Sequence, residues 1–142
     1  MSETERNAEV RRWLQYAEED LQAAEVAMDA EGMVPRHACW LAQQAAEKAI
    51  KAVLIFLQIE FPRRHDLDAL RNLVPAGWQV RESHPDLTAL TEWAVEARYP
   101  GEWPEAVQID AYGATLQARL VWASVCSDLA LHGFDIKGLE EQ

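Results

Sequence analysis

Cysteine, glycine and proline are all scarce in this chain of 142 residues, which holds two Cys, six Gly and six Pro. So little glycine and proline excludes a collagenous, low-complexity or disordered protein. Cys39 and Cys126 lie in apolar surroundings with no Cys or His at metal-ligand spacing. Neither a disulfide framework nor a zinc site is therefore indicated, and the expectation is a reducing cytoplasm with no metal and no cofactor. Long hydrophobic runs are missing too: the longest, Ala52 to Leu57, falls far short of the roughly 20 residues of a membrane helix. The opening stretch, MSETERNAEV, is acidic rather than basic and then apolar, so no secretory leader is expected. What the chain does have is 49% hydrophobic residues, 26% charged residues and six Trp. That is the ordinary composition of one domain, expected to span residues 1–142 with an acidic tail at 133–142.

Positive charge is in short supply overall, the net charge being −11, but the deficit is unevenly spread. Residues 1–31 carry nine Asp and Glu against three Arg, and residues 82–142 carry eleven against three Lys and Arg. Between them, Arg36, Lys48, Lys51, Arg63, Arg64, Arg71 and Arg81 outnumber Glu47, Glu60, Asp66 and Asp68. An acidic protein is repelled by the phosphate backbone as a whole, which argues against indiscriminate nucleic-acid coating. A local cationic patch can still hold one nucleotide or a short strand. The plain alternative is a solvated basic surface with no ligand.

Apolar periodicity marks helices and no strands. Trp13, Ala17, Leu21, Ala24 and Met28 recur at helical steps between Val10 and about Ala30. Gly32 then ends the helix, and Pro35 suits the first turn of the next. That second helix, from about Pro35 to Leu57, has a wide apolar band, and its alanines from 42 to 49 allow close approach of a neighbour. Asp66 is a candidate N-cap for a short helix presenting Leu67, Leu70, Leu73 and Val74. Ser83 and Asp86 have capping-box spacing before a helix at roughly 85–98. Tyr99 to Glu105 reads as a loop, and a last helix runs from about Glu105 to Leu131 with Ile109, Tyr112, Leu116, Leu120 and Ala123 on one face. Four long helices and a short one with brief connections predict an all-α, up-and-down four-helix bundle with an additional short helix.

Three groups of residues could carry chemistry. Gln44, Lys48 and Lys51 share a stripe of the second helix and could grip phosphate, although plain solvated helices carry such stripes and Glu47 is spaced to neutralise Lys51. Arg63, Arg64 and His65 precede a helix start, where side chains and free N–H groups attract anions. His65 could shuttle a proton or bind phosphate, or simply form a local hydrogen bond. Arg98, Tyr99 and Trp103 combine a guanidinium with two aromatic surfaces suited to a nucleotide, or pack the loop onto the bundle. No glycine-rich phosphate loop, His-Glu-x-x-His helix or Gly-x-Ser-x-Gly elbow occurs.

Taken together, Trp13, Ala17, Asp20 and Leu21, the run Cys39-Trp-Leu-Ala-Gln-Gln-Ala-Ala-Glu-Lys-Ala-Ile-Lys-Ala-Val-Leu54, His65-Asp-Leu67 and Ala97-Arg-Tyr-Pro100 resemble the HEPN family (higher eukaryote and prokaryote nucleotide-binding) over roughly residues 10–131. The resemblance implies a HEPN-like bundle that pairs with a second copy. It also implies a prokaryotic toxin–antitoxin-like partnership with a minimal nucleotidyltransferase and, in many members, ribonuclease activity at the dimer cleft. The ribonuclease members carry an Arg, four to six residues and then a His, and no Arg of this chain has a His at that offset. The expected function is thus a dimeric nucleotide- or RNA-binding module. A metal-independent ribonuclease with a divergent site is the alternative, with His65 as acid or base and Arg98 or Lys48 meeting the charge on phosphorus. A helical structural protein with no ligand is the third reading.

Overall fold

The computed structural model describes residues 1–96 and 101–139, and among them every regular element is a helix. The elements are α1 (Glu3–Asp29), α2 (Pro35–Phe56), α3 (Leu67–Arg71), α4 (Gln79–Glu82), α5 (Thr88–Glu96) and α6 (Gln108–Leu131). Helix α1 starts seven residues before the apolar pattern does, because the Ser2 side chain accepts a hydrogen bond from the Glu5 N–H at 3.1 Å and nucleates a polar first stretch. Its inner face is Val10, Leu14, Ala17, Leu21 and Ala24, all fully buried, while Trp13 and Met28 sit at the margin.

Helix α2 is central, as expected, and packs against α1, α3, α5 and α6. Its buried Ala38, Ala42, Ala45, Ala46 and Ala49 bring the neighbouring backbones close, and Ile50, Val53 and Leu54 fill the space beyond. Helix α6 runs antiparallel to α1. Tyr112 reaches Asp29 (3.1 Å), Arg119 reaches Glu25, and Arg11 near the start of α1 bonds to the Lys137 carbonyl (3.0 Å) beyond the end of α6. Gly133, with φ 89°, adopts the left-handed conformation just past the C-cap His132, which a residue with a Cβ adopts only at a cost.

One helix and two further boundaries differ from the sequence expectation. Helix α4 lacked any sequence signal; its first N–H groups, Gln79 and Val80, are capped by the Asp128 carboxylate of α6 at 2.8 and 2.9 Å. Ser83 therefore closes α4 instead of opening the next helix, and α5 starts at Thr88, whose N–H is bonded to Asp86 (3.0 Å). Helix α6 starts at Gln108, with Asp110 bonding back to the Val107 N–H (2.9 Å). Ile109, Tyr112, Leu116 and Leu120 share one face, and that face points outward; α6 turns Ala111, Ala114, Ala118, Val121 and Val125 to the core. Asp66 does cap α3, accepting from the Ala69 N–H at 3.1 Å.

Candidate functional site

The loop from Leu57 to Asp66 folds back along α2, so that His65 lies beside Gln43, a full three turns before the end of that helix. Gln43, Glu47 and Lys51 recur every fourth residue of α2 and are all buried. The Glu47 carboxylate is the hub of this stripe. It accepts from His65 Nδ1 at 2.8 Å, Lys51 Nζ at 3.0 Å and Gln43 Nε2 at 3.1 Å. Gln43 Nε2 also donates to the His65 carbonyl (3.2 Å), and Gln44 Nε2 donates to Gln43 Oε1 (2.7 Å). Burial alone would raise the Glu47 pKa, but the hydrogen bonds from His65, Lys51 and Gln43 outweigh it and hold the carboxyl below its ordinary value.

An ionised Glu47 only accepts, so Nδ1 of His65 carries the hydrogen in their bond. In the neutral ring the other nitrogen, Nε2, is then the basic one, able to take a proton or, once protonated, to donate to an anion. The His65 side chain is 45% exposed, although the carboxylate that supports it is buried. Arg63 and Arg64 stand exposed immediately before it, and no ion pair involves either of them among the described residues.

The other cations of the basic segment are committed elsewhere. Lys51 sits between Glu47 and the rings of Trp13 and Phe61, 5.9 and 5.5 Å from the centroids, and is part of the interior. Lys48 pairs with Asp20 across the α1–α2 seam. Arg71 bonds to Asp68 (2.5 Å) and to the His84 carbonyl (2.6 Å), and Arg81 to the Asn72 and Val74 carbonyls. Arg36 lies 4.0 Å from Glu105. The sequence stripe of Gln44, Lys48 and Lys51 thus exists, with both ammonium groups facing carboxylates. Trp103 is exposed in the loop before α6; Arg98 and Tyr99 lie outside the described residues. The sequence reading missed Gln43 altogether and saw Glu47 only as the partner of Lys51. Their four-residue spacing was the available signal, but its meaning depends on His65 arriving from a distant loop.

This arrangement of a long α1–α2 hairpin, a loop bearing His65 and a closing α6 coincides with a family pattern. A family model of the HEPN domain matches residues 10–127. The chain is a member of the HEPN family. A crystal structure of ST0689, an archaeal HEPN homologue, is similar at 31% identity with a TM-score of 0.64, covering 83% of this chain and 95% of that one. No curated protein sequence matches the chain. The HEPN match spans the Glu47–His65 cluster and most of α6.

Proposed function

We propose that this HEPN protein is a homodimeric module that binds a nucleotide or RNA and works with a minimal nucleotidyltransferase subunit in a toxin–antitoxin-like pair. The single observation that carries the binding half is the Arg63-Arg64-His65 run, two guanidiniums outside any described ion pair beside an imidazole anchored on a buried carboxylate. Such a run suits phosphate, because it offers charge together with one fixed donor, and anchoring removes part of the ordering cost of binding. The outer stripe of α6 supports the homodimer: Ile109 is 75%, Leu116 61% and Leu120 51% exposed, an apolar surface of the kind subunit contacts cover. The nucleotidyltransferase partnership rests on family likeness.

The test is the affinity for a fluorescent single-stranded RNA across a salt series. Two phosphate contacts give a log–log salt slope of about −1.4. Replacing both Arg63 and Arg64 by Glu is expected to remove that slope and at least tenfold of the affinity while leaving the fold intact. Unchanged binding would place the ligand elsewhere. In parallel, sedimentation should show a dimer that Leu116→Asp converts to monomer.

The Glu47–His65 pair also favours a second reading, metal-independent RNA cleavage. A carboxylate-oriented imidazole is the arrangement of a general acid or base. Cleavage further requires a second proton-transfer group and a cation at the phosphorus, and with Lys48 held by Asp20 these must come from the other protomer or another residue. Turnover near background is expected. Cleavage with a bell-shaped pH profile, abolished in His65→Ala with binding retained, would replace the binding reading by this one.

A further inference from the structure

The α1–α2 hairpin carries a second surface that the proposed function leaves unused. Near the turn joining the two helices, Ala23, Val26, Ala30, Met33 and Leu41 line an open groove of about 480 Å³. Val26 is 69% and Met33 43% exposed, so two large apolar side chains face water at the groove's rim. The groove lies on the side of α1 away from α6. Glu25, Met28 and Asp29 are the residues that bond to α6, through Arg119, Gln108 and Tyr112. At 100° per residue, Ala23 and Ala30 fall on the other side of the same helix, with Val26 between the two faces. A homodimer built on the outer stripe of α6 therefore leaves this groove open.

Its electrostatic setting selects the occupant. No Lys or Arg lines the groove; of the carboxylates around it, Asp20 pairs with Lys48, Glu25 with Arg119 and Glu18 is buried, which leaves Glu19 and Glu31 exposed and outside any ion pair among the described residues, while Arg36 at the start of α2 lies 4.0 Å from Glu105. Glu19 lines the groove and is exposed, and Glu31 stands exposed in the turn beside it. Nucleic acid and anionic lipid headgroups are repelled by such a rim. A second copy seated in the groove would bring Glu19 and Glu31 against their own counterparts and is disfavoured as well. What fits is apolar along one side and cationic along its flanks.

We infer that the groove between the end of α1 and the start of α2 is the docking site for a basic amphipathic helix of another protein, with apolar side chains seated against Val26, Met33 and Leu41 and Lys or Arg side chains facing Glu19 and Glu31. Helix-in-groove recognition uses apolar anchors at i, i+3, i+4 and i+7. Met33 supplies a deformable wall that adapts to anchors of different shape.

The experiment uses the full chain and two fluorescent synthetic helical peptides, both with Leu at the anchor positions, one with Lys and the other with Glu at the remaining positions. The Lys peptide should bind and the Glu peptide should not. Val26→Asp separates docking from general attraction to an acidic protein, because it removes an apolar contact while adding negative charge. Groove docking predicts at least tenfold weaker binding of the Lys peptide, whereas diffuse attraction predicts binding as tight or tighter. Val26 is largely exposed, so this variant should keep the helical circular dichroism of the wild type. Leu116→Asp, on the α6 stripe, should leave peptide affinity unchanged, which separates this site from the proposed dimer face. Equal binding of the two peptides, no binding of the Lys peptide, an unaltered affinity in Val26→Asp, or a change of oligomeric state in that variant would each overturn the inference.

Discussion

His65 and His84 occupy similar places in the chain, each on a loop near a proline and each hydrogen-bonded to a helix, yet they are built for opposite tasks. His65 is held by a carboxylate, Glu47, and its ring is nearly half exposed. His84 is buried, its Nε2 lies 2.9 Å from the Ser124 hydroxyl, and its carbonyl is taken by Arg71. Burial, and then the neighbouring Arg71 guanidinium, push the His84 pKa below its ordinary value, with the Asp128 carboxylate opposing them in part. An imidazole tied to an anion at the surface can serve a ligand. One tied to a hydroxyl in the interior ties α6 to the loop before α5.

The most damaging way to break this contrast is to remove the carboxylate. Glu47→Ala leaves the ammonium of Lys51 buried without its anion and takes an acceptor from Gln43, so the loss should be about 3–5 kcal/mol. Urea denaturation measures it, and a loss below about 1 kcal/mol would show that the cluster does not organise the fold. The second effect is on pH dependence. Because the folded-state pKa of His84 is depressed, the unfolded chain binds more protons around and below the ordinary value of 6.5, and stability falls as the pH drops through that range. Glu47, whose folded pKa is also depressed, contributes stability that is present above its ordinary value of 4.5 and is lost as the pH falls through the folded one. Thermal unfolding from about pH 8 to about pH 5 should show the first decline in the wild type. His84→Asn should flatten it; a decline of undiminished slope would assign it to other groups. The smallest effect on stability belongs to His65→Ala, expected within about 1 kcal/mol of the wild type because the side chain is half exposed, although RNA affinity should fall.

Much of the fold was legible in the sequence because the long helices announce themselves by period. The Pro35 start of α2 and the Asp66 cap are local signals and read correctly. What was not legible depended on tertiary contacts. Helix α4 is only four residues long, and its cap comes from Asp128 on a helix nearly fifty residues later. Which face of α6 enters the core was not legible because the helix carries apolar residues on several sides: Ile109, Leu116 and Leu120 share the outward face, while Ala111, Ala114 and Ala118 are buried along with Trp122 and Leu129. The candidate site shows the same division. Arg63, Arg64 and His65 were visible as a charged run before a helix, and the Glu47–Lys51 pair as an i,i+4 spacing. That Glu47 also orients His65 required the loop to fold back along α2. That Lys48 is engaged required Asp20, from another helix.

Of the two histidines, only His65 belongs to the proposed ligand site. Nitrogen-detected NMR of the imidazole rings, recorded as single-stranded RNA is added, tests it directly. The His65 ring signals should move in proportion to RNA bound, and the His84 signals should keep their positions. A titration in which His65 stays fixed while RNA binds, or in which His84 responds instead, would contradict it.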